Sequence, residues 1–314
     1  MAEELHVVRN QKDTVFRMLF REKKELLELY NALNNSAYHS TKDLIIFTLE
    51  NAIYMNFKND ISFLLDSELN LYEHQASYNP NMPLRDLVYI AKQLEKYMRD
   101  ESIYSSTLVK IPVPRFVVFY NGTDRQPEKQ ILRLSDAFEK ETAEPELELK
   151  VLMLNINFGH NQELMDKCRT LKEYSQYVDR VRKYARVMRI EEAVERAVTE
   201  CIREGILADF LSSQRAEVIA VSIFEYNEEE EMRKIRESEY KSGKEDGIAQ
   251  GIACGEAEAI ISLIRKKSQK GLDINEIADI LELDVCYVKK ALALLSENPD
   301  KTDMQVAELI IGQV

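Results

Sequence analysis

Residues 59–89 read NDISFLLDSELNLYEHQASYNPNMPLRDLVY and carry the clearest structural pattern of the chain. Its first half alternates apolar and polar side chains on either side of a short polar turn, a pattern that predicts a β-hairpin. After a break at NPNMP, the second half has the periodicity of an amphipathic helix. The hairpin carries two acids, Asp60 and Glu73, at mid-strand positions where apolar side chains are more common. The stretch therefore predicts two strands and a helix around a pair of carboxylates.

The pairing register of this hairpin decides which side chains share a face. A turn centred on residues 67–68 opposes Asp60 to Gln75. The same register opposes Ser62 to Glu73, and opposed residues of an antiparallel pair lie on one face. We prefer this register because a turn one residue longer would scatter the acids over both faces. The polar face is then either the solvated side of a half-exposed sheet or the floor of a functional site. The other face is apolar and carries Ile61, Phe63, Leu65, Tyr72 and His74.

Composition restricts the class of protein. The chain has 314 residues, of which 45% are hydrophobic and 31% charged, as in a helix-rich globular protein. No apolar run reaches the roughly 18 to 20 residues that cross a bilayer, and the first residues lack a signal-peptide pattern. The cysteines are far apart and form no CxxC pair, so we expect a cytoplasmic protein without a membrane partner. The net charge of −13 argues against nucleic-acid binding over the whole surface, but it is compatible with a local basic channel.

The remaining elements of the first half predict an α/β fold. Residues 11–34 have helical periodicity, and residues 37–55 contain at least one strand. PRFVVFYNG and ELELKVLMLNI are predicted strands, the first of them ended by an Asn-Gly turn. This order of elements indicates a mixed sheet flanked by helices rather than a bundle. The helix over residues 84–100 is predicted to turn one apolar face to the sheet, made of Leu84, Leu87, Val88, Ala91 and Leu94.

The second half is predicted to be helical, with boundaries near residues 190 and 240. We expect a first domain over 1-190, a helical extension and charged linker over 191-240, and a helical tail over 241-314. Within the tail, INEIADILELDVCYVKKALALL has the rhythm of two short helices around a turn. Its second helix offers only Lys289 and Lys290 as basic groups, so a packing hairpin is at least as well supported as a DNA-reading motif.

Glycines recur at every fourth position of the tail: Gly243, Gly247, Gly251 and Gly255. Each glycine inside a helix costs about 1 kcal/mol relative to alanine. Close packing against another helix would offset that cost, so this glycine stripe predicts a homo-oligomer formed through the C-terminal helices. A flexible linker with coincidental spacing is the alternative.

Several short motifs, in this order, resemble a known family: KDTVFRMLF, the ND…YEHQ pair of the hairpin, NPNMPLRDLVY, PRFVVFYNG and LNINFGHNQELM. The hairpin pair resembles the D-x(n)-(D/E)-x-K signature of the PD-(D/E)xK nuclease superfamily, in the variant with glutamine at the lysine position. Together the motifs resemble the recombination-promoting nuclease and transposase-like family, also called YhgA-like, over residues 10–190. The resemblance implies a restriction-endonuclease-like mixed sheet flanked by helices, and cleavage of DNA with a divalent metal.

The resemblance also assigns roles to acidic and amide residues. Asp60 and Glu73 would hold Mg²⁺ or Mn²⁺, and Gln75 takes the place of the lysine that orients the attacking water. Asp13 occupies the family's first acidic position, either as a further metal ligand or orienting acid, or as an acid that favours the start of a helix. An amide cannot serve as a base at neutral pH. The alternative function is therefore a catalytically inactive nuclease-fold protein that acts as a DNA-binding or oligomeric regulatory protein.

Basic residues near the pair are candidate DNA contacts. For Arg17, a phosphate contact and a salt bridge to Asp13 are both open. Arg85 lies four residues before Tyr89 in the helix after the hairpin, so both can point the same way. Arg85 would contact a phosphate or brace Glu73, with an ordinary surface ion pair as the alternative. Four polar residues further along the chain are expected to shape a strand-to-helix turn: Asn155, Asn157, His160 and Asn161.

Overall fold

The computed structural model describes residues 14–47, 60–99 and 103–311. The chain divides into two compact units, Met1–Glu230 and Glu231–Val314. The strands are β1 (Ile45–Ile46), β2 (Ile61–Leu65), β3 (Glu68–Gln75), β4 (Val113–Tyr120), β5 (Lys129–Arg133) and β6 (Lys150–Asn155). The helices are α1 (Val15–Phe20), α2 (Lys23–Asn34), α3 (Met82–Tyr97), α4 (Gln162–Lys167), α5 (Arg169–Ala185), α6 (Ile190–Glu204), α7 (Ala208–Ser213), α8 (Arg215–Gln269), α9 (Ile274–Leu281), α10 (Val285–Glu297) and α11 (Asp303–Ile311).

The strands form one mixed sheet in the order β1-β2-β3-β4-β6-β5. β3, β4 and β6 run parallel to one another, whereas β2 and β5 run antiparallel to their neighbours. The link from β3 to its parallel neighbour β4 contains α3, because parallel strands need a long crossover connection. This mixed sheet flanked by helices, followed by a helical C-terminal region, confirms the predicted α/β class in its general form.

The β2–β3 hairpin closes with a two-residue turn at Asp66 and Ser67, whose φ angles are 51° and 60°. Positive φ at both central positions matches the right-handed twist of the flanking strands. The turn lies one residue earlier than predicted, so that Leu65 pairs with Glu68.

This earlier turn corrects the predicted partners but keeps the predicted faces. Ser62 pairs with Leu71 instead of Glu73. The next position of the same register opposes Asp60 to Glu73 rather than to Gln75. Because each partner moves by two residues, every side chain stays on its predicted face.

The apolar face of the hairpin packs into the larger core of the first unit. Phe63 meets Tyr72 edge-on with ring centroids 5.1 Å apart, and Tyr72 meets Phe119 of β4 at 5.4 Å. Helices α1, α2 and α5 contribute buried side chains to this core, among them Phe16 and Leu26. The predicted apolar face is thus confirmed.

The second face of the hairpin is also buried, which excludes the solvated-sheet interpretation. Ser62 and Glu73 are only 0% and 3% exposed. Leu69 and Leu71 of β3 belong to a second core on this side, together with Tyr89 of α3. The acidic residue at mid-strand therefore lies in the protein interior.

Helix α3 turns a face to the sheet that matches the predicted one only in part. Leu84 is 48% exposed, whereas Asp86 and Gln93 are buried. Gln93 Nε2 donates to Ser62 Oγ at 2.5 Å. The predicted face is correct for Leu87 and Leu94, which pack against the second core, and wrong for Leu84. Gln93 joins the buried face because Ser62 of the sheet offers it a hydrogen-bond partner among the apolar side chains.

Two features of the first unit were not expected. The periodic segment over residues 11–34 is broken after α1, at Arg21 and Glu22. β5 pairs with β6 at the edge of the sheet and buries only Leu132 among its residues. Its exposed positions include Lys129 and Arg133, which is how edge strands avoid pairing with other chains.

The first unit extends to Glu230, which corrects the expected boundary near residue 190. Helices α6 and α7 bury apolar side chains in the same core as the sheet, so they are part of this unit rather than an extension of it. The side chains that join this core are Val194, Ala197, Val198, Cys201 and Leu211. The second boundary lies at residues 230–231 rather than near 240.

In the second unit, the end of α8 packs with α9, α10 and α11 around one apolar core. Ile277 and Ala278 before the turn and Val288 and Ala291 after it are buried, which confirms the predicted two-helix pattern. Asp273 starts α9 with a capping box that involves Glu276. α11 adds a third helix that the pattern did not predict.

The glycine stripe lies within α8. A Cβ atom added at any of its four positions meets no atom within 4 Å. Among the described residues, the close helix contact that would offset the cost of these glycines is therefore not made within the chain.

One helix of the described chain, α8, contains a window that could cross a membrane by length and composition alone. Only 18% of that window is buried. The indication is weak, because helices of soluble proteins meet the same criteria. A soluble protein is compatible with it.

Candidate metal centre

Asp60 and Glu73 lie side by side at the end of the hairpin that is remote from its turn. The backbone N–H of Asp60 donates to Glu73 Oε1 at 3.1 Å. The backbone N–H of His74 donates to Asp60 Oδ2 at 2.7 Å. Each carboxylate is thus held by the backbone of the opposite strand, and the structure brings together the two predicted metal ligands.

Glu73 is a carboxyl group in an unfavourable electrostatic environment. Burial raises its pKa well above the ordinary value, and the charges of Asp60 and Asp86 raise it further. The Arg85 guanidinium and the hydrogen bond from Asp60 lower the pKa, but they offset only part of these effects. Without a further cation, Glu73 retains its proton well above the usual pH range of a glutamate.

Arg85 is a cation beside this pair. Its Nη2 lies 3.9 Å from Glu73 Oε2 and donates to the Tyr89 hydroxyl at 3.1 Å. The guanidinium carbon also lies 5.8 Å from the centre of the Tyr89 ring. The predicted shared direction of Arg85 and Tyr89 is therefore present, and so is the approach of Arg85 to Glu73. A phosphate contact by Arg85 stays a prediction.

Gln75 ends β3 on the same face as Glu73. With its amide oriented to satisfy both neighbours, Gln75 Oε1 accepts from Arg85 Nη1 at 3.0 Å. Its Nε2 then donates to the carbonyl oxygen of Ser77 at 3.1 Å. Gln75 therefore orients the arginine beside the acids, a role that the sequence did not indicate.

Asp86 of α3 is a third acid on this face, and sequence reasoning missed it. It is 1% exposed, and its Oδ1 has no hydrogen-bond partner among the described residues. Burial raises the pKa of Asp86 to about 7, while the charge of Arg85 acts in the opposite direction. The signal that could have found Asp86 is its helical spacing from Met82, Tyr89 and Gln93, which share its buried face.

The donor atoms of this site fit Mg²⁺. In the part of the chain that the structure describes, His, Cys, Asp and Glu form no cluster of three or more that could hold a metal. Mg²⁺ is commonly bound through one or two carboxylates, with waters and substrate phosphates as its other ligands. Asp60 and Glu73 provide such a pair, and a divalent cation would relieve the crowding that raises the pKa of Glu73. Asp13, the third predicted acid, lies outside the described residues.

His74 points to the opposite face of the sheet from Glu73. Its ring stacks on Phe16 with centroids 5.0 Å apart, and its Nε2 lies 2.9 Å from the Tyr174 hydroxyl. Burial, with a smaller effect from the charge of Arg182, lowers the pKa of His74 to about 3. A neutral His74 therefore links the sheet to α5 and carries no charge at physiological pH.

Helix α8 brings a further acid, the half-buried Glu225, towards the pair. Its Oε2 accepts from the backbone N–H of Val15 at 3.3 Å. Burial raises the pKa of Glu225 to about 8, and the charges of Glu229 and Asp60 act in the same direction. Arg182 of α5 counteracts them and pairs with Glu229 at 2.9 Å. No local pattern marks Glu225, because only the fold brings this residue of a charged helix to the N-terminal segment.

Arg17 lies in α1 and is 9% exposed. Its backbone N–H is capped by Thr14 Oγ1 at 3.1 Å. An interior position leaves little of this side chain accessible to DNA, and Asp13, its predicted salt-bridge partner, lies outside the described residues. The DNA-binding role of Arg17 stays a prediction.

The asparagines after β6 shape the expected strand-to-helix turn. Asn155 Oδ1 accepts from the backbone N–H of Asn157 at 3.1 Å. Asn161 occupies the N-cap of α4 with φ of 44°, and its Nδ2 donates to the Asn155 carbonyl oxygen at 2.8 Å rather than capping the helix. His160 Nδ1 lies 2.7 Å from Glu128 Oε1. His160 therefore belongs to an exposed pair of its own and not to the Asp60–Glu73 pair.

The resemblance to the nuclease family rests on the sequence motifs alone. No protein-family model matches the chain, and no curated protein or solved structure matches it.

Proposed function

We propose that this protein is a metal-dependent DNA endonuclease of the recombination-promoting or transposase-like type, which hydrolyses phosphodiester bonds. The observation that carries the proposal is the Asp60–Glu73 pair, in which each carboxylate accepts a backbone hydrogen bond from the opposite strand. Because these bonds fix both acids before a ligand arrives, the pair offers preorganised oxygen ligands to Mg²⁺ or Mn²⁺.

The position of the pair in the sheet supports the proposal. Gln75, Tyr120 and Asn155 align across β3, β4 and β6 near the carboxyl ends of these parallel strands. Asp60 precedes the antiparallel β2 and therefore reaches the same edge. In open α/β sheets, ligands bind in the crevice outside the carboxyl ends of the strands. A mixed sheet with this edge is compatible with the restriction-endonuclease-like core that we propose for the first unit.

The residues of the site would have different chemical roles. Asp60 and Glu73 would hold the cation through their oxygens. Bound Mg²⁺ supplies the charge that polarises a phosphate and makes a water molecule more acidic. Gln75 positions Arg85 by a neutral hydrogen bond and cannot remove a proton at neutral pH. Arg85, with 31% of its side chain exposed, holds Glu73 by its charge and is placed to meet a substrate phosphate.

Plasmid nicking by the purified full-length chain, with and without Mg²⁺ or Mn²⁺, tests this proposal. We expect metal-dependent conversion of supercoiled to open-circular DNA, and a loss of roughly a hundredfold or more in Glu73→Gln, which cannot supply the carboxylate. The matched control is Asp66→Asn, which changes an acid in the turn of the same hairpin and keeps a residue that tolerates positive φ. Nicking that survives Glu73→Gln, or that requires no metal, would sink the assignment of this site.

A non-catalytic DNA-binding or oligomeric regulatory protein is the second candidate function. The observation in its favour is the raised pKa of Glu73, caused first by burial, because a protonated Glu73 is a poor metal ligand. This candidate predicts DNA binding without nicking at any metal concentration, and binding that Glu73→Gln leaves unchanged. The endonuclease candidate predicts nicking that this substitution removes.

DNA is the partner that both candidates share, and a second copy of this chain is the other proposed partner. The support for self-association is that the glycine stripe has open space around it, while Ile248 and Ile252 on the same helix are 55% and 59% exposed. Light scattering on the eluting protein should give the mass of an oligomer for the wild type. Gly251→Leu should lower that mass, and a monomeric wild type would contradict the proposal.

A further inference from the structure

A cavity of about 290 Å³ opens at the carboxyl ends of β4 and β6. The loop after β4, the turn after β6 and one face of α5 form its wall. The charged side chains that line it are Arg125, Arg182, Lys183, Arg186, Asp124 and Asp179. We call it the basic cavity.

Two of these positive charges are neutralised within the chain, and two are not. Lys183 Nζ lies 2.6 Å from Asp179, and Arg182 lies 2.9 Å from Glu229. Among the described residues, the side chains of Arg125 and Arg186 have no hydrogen bond or ion pair. The cavity therefore presents two available guanidinium groups on a protein whose net charge is −13, which favours an anionic ligand at this place.

The wall of the basic cavity is held by hydrogen bonds before any ligand binds. Asn157 Oδ1 accepts from Arg182 Nη1 at 3.0 Å, and Asn157 Nδ2 donates to the Gly122 carbonyl oxygen at 3.0 Å. Asn155 Nδ2 donates to the Gln126 carbonyl oxygen at 3.0 Å. These bonds tie both loops to α5, so the cavity is a fixed feature of the fold and not a gap between independent loops.

An exposed aromatic ring lies at the rim of this cavity. Phe158 is 53% exposed, and Lys183 Nζ lies 5.6 Å from the centre of its ring. Proteins that bind single-stranded nucleic acid combine a basic groove for the backbone with aromatic side chains on which bases stack. An anion alone would not require the ring, whereas a nucleotide strand uses both features.

The register of the sheet fixes how far the basic cavity lies from the acidic pair. Gln75 of β3 aligns with Tyr120 of β4, which aligns with Asn155 of β6. Neighbouring strands are about 4.8 Å apart, so the β6 end is about 10 Å from Gln75. One strand of nucleic acid covers such a distance within a few nucleotides.

We propose that the basic cavity binds a phosphate group of a nucleic-acid strand through Arg125 and Arg186, while Phe158 stacks on a neighbouring base. This inference rests on the proposed function, because it places the strand that passes the Asp60–Glu73 pair. The phosphate chemistry is shared with free phosphate and with mononucleotides, and the experiment separates these sources.

The test is fluorescence anisotropy of a labelled 12-nucleotide single-stranded DNA, titrated with the full-length chain in EDTA at several salt concentrations. Arg125→Gln/Arg186→Gln should raise Kd about tenfold and make the slope of log K against log salt shallower by about 1.4, since each phosphate contact contributes roughly 0.7. Phe158→Ala should also raise Kd about tenfold, but without changing the salt slope. The control, Arg189→Gln/Arg203→Gln, removes the same charge from side chains outside the cavity that are 77% and 74% exposed.

Wild-type affinity in the cavity variant, or an equal loss in the control, would overturn the proposal. A wild type that binds a mononucleotide or inorganic phosphate but not the 12-nucleotide strand would also overturn it. Because EDTA removes the metal, this result is independent of cleavage. Nicking with unchanged binding in the cavity variant would reject the cavity alone, and weakened binding in a protein that never nicks would reject the nuclease alone.

Discussion

The acidic pair and the basic cavity lie at the same edge of one sheet, yet they are built in opposite ways. At the pair, Glu73 is 3% exposed and burial raises its pKa well above the ordinary value. At the cavity, Arg125 and Arg186 are exposed and unpaired within the described chain. Crowding like charges in the interior costs stability, whereas exposed unpaired arginines cost little. A stability cost at the acidic pair is expected of the proposed metal site, whereas the basic cavity needs only to attract the proposed anionic ligand.

Arg182 and Glu225 connect these two regions electrostatically. The charge of Asp60 raises the pKa of Glu225, and the charge of Arg182 lowers it. Arg182 also belongs to the wall of the basic cavity through Asn157. A change of charge at the acidic pair is therefore expected to alter the electrostatic potential at the basic cavity, and the reverse.

The largest effect on stability should come from Gly122→Ala, which disturbs both regions at once. A Cβ at Gly122 would lie 2.2 Å from the carbonyl oxygen of Ala76, which is backbone and cannot move aside. Gly122 lines the basic cavity, and Ala76 directly follows the β3 strand that carries Glu73. We expect the free energy of unfolding of the first unit to fall by roughly 3 kcal/mol, as in overpacked cores. Urea unfolding followed by circular dichroism measures it.

Gly247→Ala is the matched control for this prediction. A Cβ at Gly247 meets nothing within 4 Å, and the residue lies inside α8. The substitution should stabilise the second unit by about 1 kcal/mol through helix propensity. Equal effects of the two substitutions would contradict the close approach of the β3 and β4 ends.

The next largest effect is the stabilisation of the first unit by a divalent cation, which tests the acidic pair alone. Saturating Mg²⁺ or Mn²⁺, at about 100 times Kd, should stabilise the first unit by about 2.7 kcal/mol and raise its Tm by about 5 °C or more. Asp60→Asn should abolish this shift, since it keeps an acceptor for the His74 N–H but removes the charge. Asp66→Asn should retain it. The same Tm shift in both variants, measured by differential scanning calorimetry, would place the metal elsewhere.

The acidic side of this comparison was largely predictable from sequence, because the hairpin carries it locally. Side-chain alternation gave the correct faces for Asp60 and Glu73. The exact partners were missed because the turn uses Asp66 and Ser67 at positive φ, where no glycine or asparagine marks it. Asp86 was missed because apolar periodicity assigns an acid to the outside of a helix, whereas the buried face of α3 mixes apolar residues with Asp86 and Gln93.

The basic side could not be predicted from local patterns. Arg125 follows β4, and Asn157 follows β6. Arg182 lies in the last turn of α5, and Arg186 is its C-cap. Each of these residues reads as an ordinary exposed polar group in its own segment. Only the crossover connections of the sheet bring them to one edge, so sequence spacing carries no signal for the cavity.

The effect of pH on stability, taken per pH unit, is smaller than these and should report on the junction between the two regions. Burial raises the pKa of Glu225 to about 8, from an ordinary value of 4.5. The folded protein therefore binds this proton more tightly than the unfolded chain does. Its stabilising effect is complete below pH 4.5 and is lost as the pH rises towards 8. Relative to Glu225→Gln, the wild type should lose up to about 1.4 kcal/mol of unfolding free energy per pH unit in this window.

Urea unfolding of both proteins at a series of pH values measures this difference. Glu217→Gln is the control, since Glu217 is an exposed carboxyl on the same helix. Its stability should follow that of the wild type at every pH. A constant difference between Glu225→Gln and the wild type would show that Glu225 is ionised in the folded protein, and would remove the electrostatic link between the pair and the cavity.

The smallest effect is a change in DNA affinity, and it concerns the basic cavity alone. Asp179→Asn releases Lys183, whose Nζ lies 2.6 Å from Asp179 on an exposed turn of α5. An exposed pair of this kind contributes about 0.5 kcal/mol or less, so stability should hardly change. With one more unpaired cation at the cavity, the 12-nucleotide DNA should bind about twofold tighter. Asp166→Asn breaks a similar exposed pair with Lys172, at 2.8 Å, outside the cavity. If both variants tighten binding equally, net charge and not the cavity governs affinity; tightening by Asp179→Asn alone places the strand at the carboxyl ends of β4 and β6.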